Sequence, residues 1–251
     1  MNDKHTFKDH FSPLSDVYAR YRPSYPAELF AWLASLAPGR EKAWDAGCGS
    51  GQAALMLAEH FEAVVATDAS APQIGRAIPH PRVTYRVATA EDSGLPDASL
   101  DLIVAAQALH WFDFDLFYAE VRRVLRPGGV IAGGTYGLLR IDPGVDRVVD
   151  RLYHEVVAPY WPPERRYVDE AYAGIPFPFD EIEVPPFAMA TDWSFEQLFG
   201  YLGTWSAVRH YRDDRGSDPL AVVRDELEKA WGDPDRTRRC SWPLGLRVGR
   251  V

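Results

Sequence analysis

The chain has 251 residues, 47% of them hydrophobic, with 20 prolines and 19 glycines spread along its length, which suits one globular domain. No apolar run approaches the ~18 residues of a membrane span and residues 1–11 are charged and polar, so the sequence reads as a soluble, cytoplasmic protein with neither a membrane segment nor a secretory signal. With 36 acidic side chains against 27 basic ones the formal charge is −9, which disfavours nucleic acid and anionic membrane as partners and leaves small molecules.

Pro26 opens a segment in which Leu29, Phe30, Leu33 and Leu36 recur at helical spacing, and Pro38-Gly39 closes it, predicting an amphipathic helix. Short apolar runs follow in KAWDAG, AVVATD, VTYRVA and LDLIVAA, each ending in turn residues, the first two also leading into helical patterns. Strand-helix alternation of this kind specifies a parallel sheet. Ser70 with Gln73 has the form of a capping box, which starts a helix right at the end of the second strand. Asp113 and Asp115 read as caps of the next helix rather than a metal pair. That helix carries Leu116, Val121, Val124 and Leu125 on one stripe, and Pro127-Gly128-Gly129 reads as a turn into a fifth strand, VIAGGTY.

Beyond Arg140 the pattern predicts a helix over 145–157, an ordered aromatic-rich loop, and a strand in FAMATDW. A second capping box at Ser194 and Gln197 precedes helical patterns over 195–208 and 220–231. In the tail Trp242, Leu244, Leu246 and Val248 alternate, predicting a half-buried final strand over 241–251.

The stretch AWDAGCGSGQAA places Gly47, Gly49 and Gly51 between the first strand and its helix, where a ligand can approach the backbone closely. The last glycine of a dinucleotide fingerprint would stand at position 52, which is Gln52, and no Gly-x-x-x-x-Gly-Lys loop is present. Asp45 stands two residues before the first glycine, and Asp68 ends the second strand. An acid at the end of that strand can accept from both hydroxyls of a ribose, and Asp45 can accept from a positively charged amino group. Two carboxylates repel a phosphate, whereas a cationic nucleoside such as S-adenosylmethionine fits them. Asp68 could instead cap the following helix, a task Ser70 already performs. Cys48 reads as a packing residue rather than a nucleophile. The two cysteines, Cys48 and Cys240, and the scattered histidines offer neither a disulfide framework nor a metal site.

Asp45-Ala46-Gly47-Cys48-Gly49-Ser50-Gly51 and Asp68 resemble the first and second motifs of class I S-adenosylmethionine-dependent methyltransferases. ATAEDSGLPDASLDLIVAAQALHWFD and VLRPGG resemble the later stretches of the small-molecule branch, the methyltransferase type 11 group. The resemblance implies an α/β Rossmann-like fold: a mostly parallel seven-stranded sheet flanked by helices, with a helical cap from the N-terminus and the C-terminal third. Within a single domain it implies a cofactor-binding core over 43–136, N-terminal helices over 1–40, substrate-side elements over 141–186 and 194–232, and a final strand over 241–251. It further implies that Gly47 and Gly49 pass under the methionine portion, that Asp68 binds the ribose, and that Ala90 and Glu91 edge the adenine. Thr89 stands where much of the family has an aspartate, which makes Glu91 the substitute for the adenine amino contact. Ala69 and Gln107 belong to the same cofactor surroundings. The flanks YARYRPSYPAELFAWL, YLGTWSAVRHY and WPLGLRVGR narrow the likeness to proteins akin to trans-aconitate methyltransferase, and imply that Tyr18, Tyr21 and Arg22 lie over the cofactor.

The expected cofactor is S-adenosylmethionine, leaving as S-adenosylhomocysteine, with no metal. His110 and Trp111 follow the fourth strand, where they either wall the pocket or, for His110, serve as a base. A carboxylate acceptor needs no base, whereas a phenol, alcohol or protonated amine must lose a proton. Arg22, Arg140, Arg165, Arg166, Arg209 and Arg212 are the cations available to an anionic acceptor, while the aromatic content of residues 160–179 suits a flat or apolar one. The competing readings are a nucleic-acid methyltransferase, a nicotinamide oxidoreductase and a catalytically silent S-adenosylmethionine-binding regulatory protein. A monomer and a homodimer are both compatible with the sequence.

Overall fold

The structure, a computed structural model, describes residues 23–251. Tyr18, Tyr21 and Arg22 lie outside the described residues. The first described helix, α1 (Ala27–Leu36), starts after Pro26 and buries Leu29, Phe30, Leu33 and Ala34. Strands and helices then alternate through β1 (Lys42–Ala46), α2 (Gln52–Ala58), β2 (Ala63–Asp68), α3 (Ala71–Ile74), β3 (Val83–Val87), β4 (Leu100–Ala106), α4 (Phe114–Val124) and β5 (Leu125–Tyr136). The five strands are parallel in the order β3-β2-β1-β4-β5. Strand order reverses between β1 and β4, so the carboxyl ends of these two strands open the crevice in which sheets of this type bind ligands.

Successive side chains feed opposite faces of the sheet. Ala43, Leu102, Val104, Val130 and Ala132 pack on one face with α1 and α2. Trp44, Ile103, Ala105 and Ile131 pack on the other with Phe117 and Val121 of α4. A one-residue slip in register would exchange the two sets, so burial on both faces fixes the pairing.

The chain continues through α5 (Pro143–Arg151), a π-helical turn (Leu152–Val156), the short α6 (Arg165–Asp169), β6 (Asp180–Glu181) and β7 (Ala188–Trp193). It ends with α7 (Phe195–Gly203), α8 (Ser206–Arg215), α9 (Leu220–Trp231) and β8 (Arg238–Arg250). β8 runs antiparallel to β5, β6 and β7. Among the described residues the sheet therefore has eight strands, not the seven expected. The extra one is β6, two exposed residues paired with Arg250 and Gly249, too short to leave a period-two hydrophobic signal.

Two further differences have local causes. Pro127-Gly128-Gly129 forms a bulge inside β5 rather than a turn before it, because pairing begins at Leu125 with Leu100 and resumes at Val130 with Leu102. The bulge amides are satisfied from the chain end: Gly128 N–H donates to the Val251 carbonyl at 3.0 Å, and Val251 N–H to that of Gly129 at 3.0 Å. The helical pattern over 195–208 divides at Thr204 and Trp205 into α7 and α8. Ser194 and Gln197 close a reciprocal capping box on α7, and Ser70 Oγ accepts from the Gln73 amide at the start of α3. No helix among the described residues is long and apolar enough to cross a membrane.

Candidate active site

β1 delivers Asp45 to the crevice, and the chain then turns through three left-handed glycines, Gly47 (φ +70°), Gly49 (φ +55°) and Gly51 (φ +90°). A Cβ on Gly47 would fall 2.6 Å from Ala108 Cβ and 3.1 Å from Phe112 Cζ, so the loop is pressed against the segment after β4. A Cβ on Gly49 would meet nothing within 4 Å, leaving open space beside the backbone. Gly51 caps α2, and a Cβ there would enter the Tyr85 ring, 2.6 Å from Cε1. Gly51→Ala is therefore expected to lower stability by about 2–4 kcal/mol through overpacking and left-handed strain. Gly49→Ala carries only the backbone part, and chemical denaturation of the two variants separates them.

The two acids have different surroundings. Asp68 accepts from the Gly49 amide at Oδ2 and from the Ser70 amide at Oδ1, both at 2.8 Å, tying the glycine loop to the end of β2. Cys48 N–H adds a bond to the Thr67 carbonyl at 2.9 Å. Asp45 is fully buried, and among the described residues neither of its carboxylate oxygens has a hydrogen-bond partner. The Ala54 amide lies near enough to favour the charged form somewhat, without reaching hydrogen-bonding geometry. Burial dominates and, with a smaller repulsion from Asp68, pushes the Asp45 pKa from 3.8 up to about 7. Burial and the same two carboxylates push the Cys48 thiol far up, which leaves it protonated and inert.

The remaining predicted residues surround the crevice unequally. Ala69 follows Asp68 directly and is partly exposed, while Ala90 is buried beside Glu91. Glu91 turns one oxygen to the Asp113 amide, 2.9 Å away, and Asp113 caps α4 by accepting from Leu116 N–H. Gln107 follows β4 directly. In a left-handed conformation (φ +57°), its side-chain oxygen turns back onto β5, accepting from Thr135 Oγ1 at 2.8 Å and Tyr136 N–H at 2.9 Å.

His110 and Trp111 lie in a 3-10 turn, Leu109–Trp111. They line a cleft of roughly 430 Å³ that Phe112, Phe114, Glu164, Arg166 and Tyr167 complete. Phe112 is shared by the cleft and the glycine loop, placing one aromatic ring between them. His110 Nδ1 lies 2.7 Å from the hydroxyl of Tyr172, a buried residue to which sequence reasoning assigned no role. Its place in an aromatic-rich segment was the only signal, and that signal does not distinguish it from Tyr167. Burial, then the Arg165 charge, lowers the His110 pKa from 6.5 to about 3. The unfolded imidazole protonates near its ordinary value while the folded one resists to about 3, so His110 costs stability as pH falls through that window. His110→Gln should flatten this part of the acid-side decline, as thermal melts between about pH 4.5 and 7 will show.

A mostly parallel sheet with a strand-order reversal and an open glycine loop at its mouth define an α/β protein of the class that binds ligands at the carboxyl ends of its strands. The model of a family described as a methyltransferase domain matches residues 44–133. A protein of Dictyostelium discoideum named a methyltransferase is 35% identical over 233 residues, covering 91% of this chain and 89% of its own. The solved structure of a protein from Anaeromyxobacter dehalogenans, titled a type II methyltransferase, is 56% identical. It superposes with a TM-score of 0.87 over 92% of this chain and 98% of that one. An uncharacterized methyltransferase of Mycobacterium tuberculosis is 40% identical over 121 residues, about half of each chain (47% and 49%). The chain belongs to the class I S-adenosylmethionine-dependent methyltransferases.

Proposed function

We propose that this methyltransferase acts on a small-molecule acceptor, with S-adenosylmethionine held across the crevice by the glycine loop and its two acids. The observation that carries the cofactor assignment is Asp45: a buried carboxylate with no partner on either oxygen among the described residues, beside a loop left open at Gly49, suits a cation and repels a phosphate. In this reading Asp45 takes the amino group of the methionine portion, and Gly47, Gly49 and Gly51 let it approach the backbone. Asp68 takes the ribose hydroxyls, as a carboxylate at the end of β2, all acceptor when ionised, can. Ala69, Ala90 and Glu91 flank the adenosine, and Gln107 supports the wall through β5.

Bound S-adenosylmethionine supplies an already activated methyl group. The chain's own task is then to align the acceptor and exclude water, and alignment of this kind can be worth ~7–11 kcal/mol. His110 and Trp111 wall the acceptor side. With its pKa lowered to about 3, His110 is a neutral hydrogen-bonding group at physiological pH rather than a base matched to it. Three of the arginines available to an anionic acceptor are already paired, Arg140 with Asp150, Arg165 with Asp169 and Arg212 with Asp218. That pairing weakens the case for the polycarboxylate implied by the trans-aconitate-like flanks.

The test is release of S-adenosylhomocysteine from the protein incubated with S-adenosylmethionine and a panel of phenols, alcohols, amines and carboxylic acids. Acceptor-dependent release supports the proposal. Tight cofactor binding with no transfer to any class supports the silent, cofactor-binding alternative.

A further inference from the structure

We propose that Glu120 of α4 is a positioning residue for the nucleobase: through Ser93 it holds the loop after β3 in the conformation that presents Ala90 and Glu91 to adenine. This rests on the adenosine-side assignment made above and deepens it. Glu120 is out of character with its place. It lies on the inward side of α4 among Phe117, Val121 and Val124, all fully buried, and is itself only 7% exposed. A carboxylate there costs free energy unless its charge and lone pairs are satisfied, and both are. Arg123, one turn on, forks onto it, Nε donating to Oε2 at 2.8 Å and Nη2 to Oε1 at 2.7 Å. The Ser93 amide donates to Oε1 at 3.1 Å, and the Ser93 hydroxyl donates to the same oxygen.

The loop between β3 and β4 depends on these bonds because it makes almost none of its own. Ala88 N–H donates to the Asp68 carbonyl at 3.1 Å, and Ala98 N–H to that of Arg123 at 2.9 Å. From Thr89 to Asp97, no amide pairs with a main-chain carbonyl among the described residues. Buried main-chain groups are nearly always paired, and here side chains supply the pairing. The buried Ser93 commits its hydroxyl proton to Glu120, so its oxygen is free to accept from the Leu95 amide, at 3.1 Å. At the far end Arg123 donates to Asp97 at 2.6 Å. Glu120 and Arg123 thus clasp both ends of the turn from Ser93 to Asp97.

The same helix holds the residue on the nucleobase side. The Asp113 amide, at the N-cap of α4, donates to one Glu91 oxygen at 2.9 Å. Asp113 and Glu120 stand about two turns apart on one rigid element, so Glu91 and Ser93 are set at fixed points along it, with the buried Ala90 just before them. The second Glu91 oxygen has no hydrogen-bond partner among the described residues and, as an acceptor, suits the amino group of adenine. A base carrying an oxygen there would meet it lone pair to lone pair. Glu120 itself touches no part of the cofactor in this reading. It sets where the residues that do touch the base stand, so its loss blurs recognition of the base.

The experiment measures, by calorimetry on the full chain, affinity for S-adenosylhomocysteine and for S-inosylhomocysteine, in which an oxygen replaces the adenine amino group. The wild type is expected to prefer the first by about tenfold or more, as one hydrogen bond to a charged group implies. Glu120→Ala should cut that preference by at least about threefold, and a smaller change overturns the proposal. Val121→Ala on the same helix is the control. It removes core packing and leaves the bonds of the loop in place, so it should lower stability in denaturation without changing the preference. A preference that falls equally there reports general loosening and overturns the positioning role. Should Glu120→Ala fail to fold, Ser93→Ala, which removes the hydroxyl alone, decides in its place by the same criterion. Equal binding of the two nucleosides by the wild type, or binding of neither, overturns the adenosine assignment beneath and the proposal with it.

Discussion

Asp68→Ala is expected to lower the affinity for S-adenosylmethionine by about a hundredfold, read by isothermal titration calorimetry; ~2.7 kcal/mol is the corresponding free energy. Two losses combine in that figure. The variant removes the acceptor proposed for the ribose hydroxyls, and hydrogen bonds to a charged group contribute about 1.5–3 kcal/mol each. It also frees the Gly49 and Ser70 amides, both now held at 2.8 Å, so the glycine loop loses its tie to β2. Denaturation of the cofactor-free variant separates the two effects, because only the second appears there. A change in cofactor affinity of less than threefold would remove Asp68 from the ribose site.

Asp45→Asn should move stability and cofactor affinity in opposite directions. In the cofactor-free protein the Asp45 pKa stands at about 7 against an ordinary 3.8. Between those values the folded protein holds a proton that the unfolded chain has released, so stability falls as pH rises through that window. Above about pH 7 the fold carries a buried, unpaired charge, and a neutral Asn of the same shape relieves it. The variant is therefore expected to gain about 2–4 kcal/mol of stability at pH 8 and almost nothing near pH 4. Its affinity for the cationic cofactor should be weak and independent of pH. Wild-type affinity should fall about tenfold for each unit below pH 7, where Asp45 must first lose its proton, and level off above. Denaturation and titration at three pH values check both halves, and parallel changes in stability and affinity would contradict the assignment.

Much of this arrangement is local in sequence, which is why it can be read there. The glycine loop, Asp45 and the end of β2 with Asp68 are set by adjacent strands and the turn between β1 and α2, so spacing alone brings Gly47, Gly49, Gly51 and both acids to one crevice. Helix starts at Ser70, Asp113 and Ser194 are equally local, each depending on a side chain reaching an amide two or three residues ahead. Tyr172 is the opposite case. Its position depends on Gly245 and Arg247, more than 70 residues away, and no periodicity links them. Gln107 bonds Thr135 and Tyr136 of β5 through its side chain, a pairing between segments 28 and 29 residues apart that no local pattern announces. The two-residue β6 exists because β8 offers it an edge, and the low pKa of His110 comes from burial among elements that meet only in three dimensions.

In the proposed site the crevice binds a cationic nucleoside through an ionised Asp45. Calorimetric titration of the wild-type protein with S-adenosylmethionine, repeated near pH 7 in buffers of different ionisation enthalpy, tests it most directly. The predicted result is saturable one-to-one binding with release of a fraction of a proton, which disappears in Asp45→Asn. No saturation up to millimolar cofactor, or binding without proton release at that pH, would contradict it.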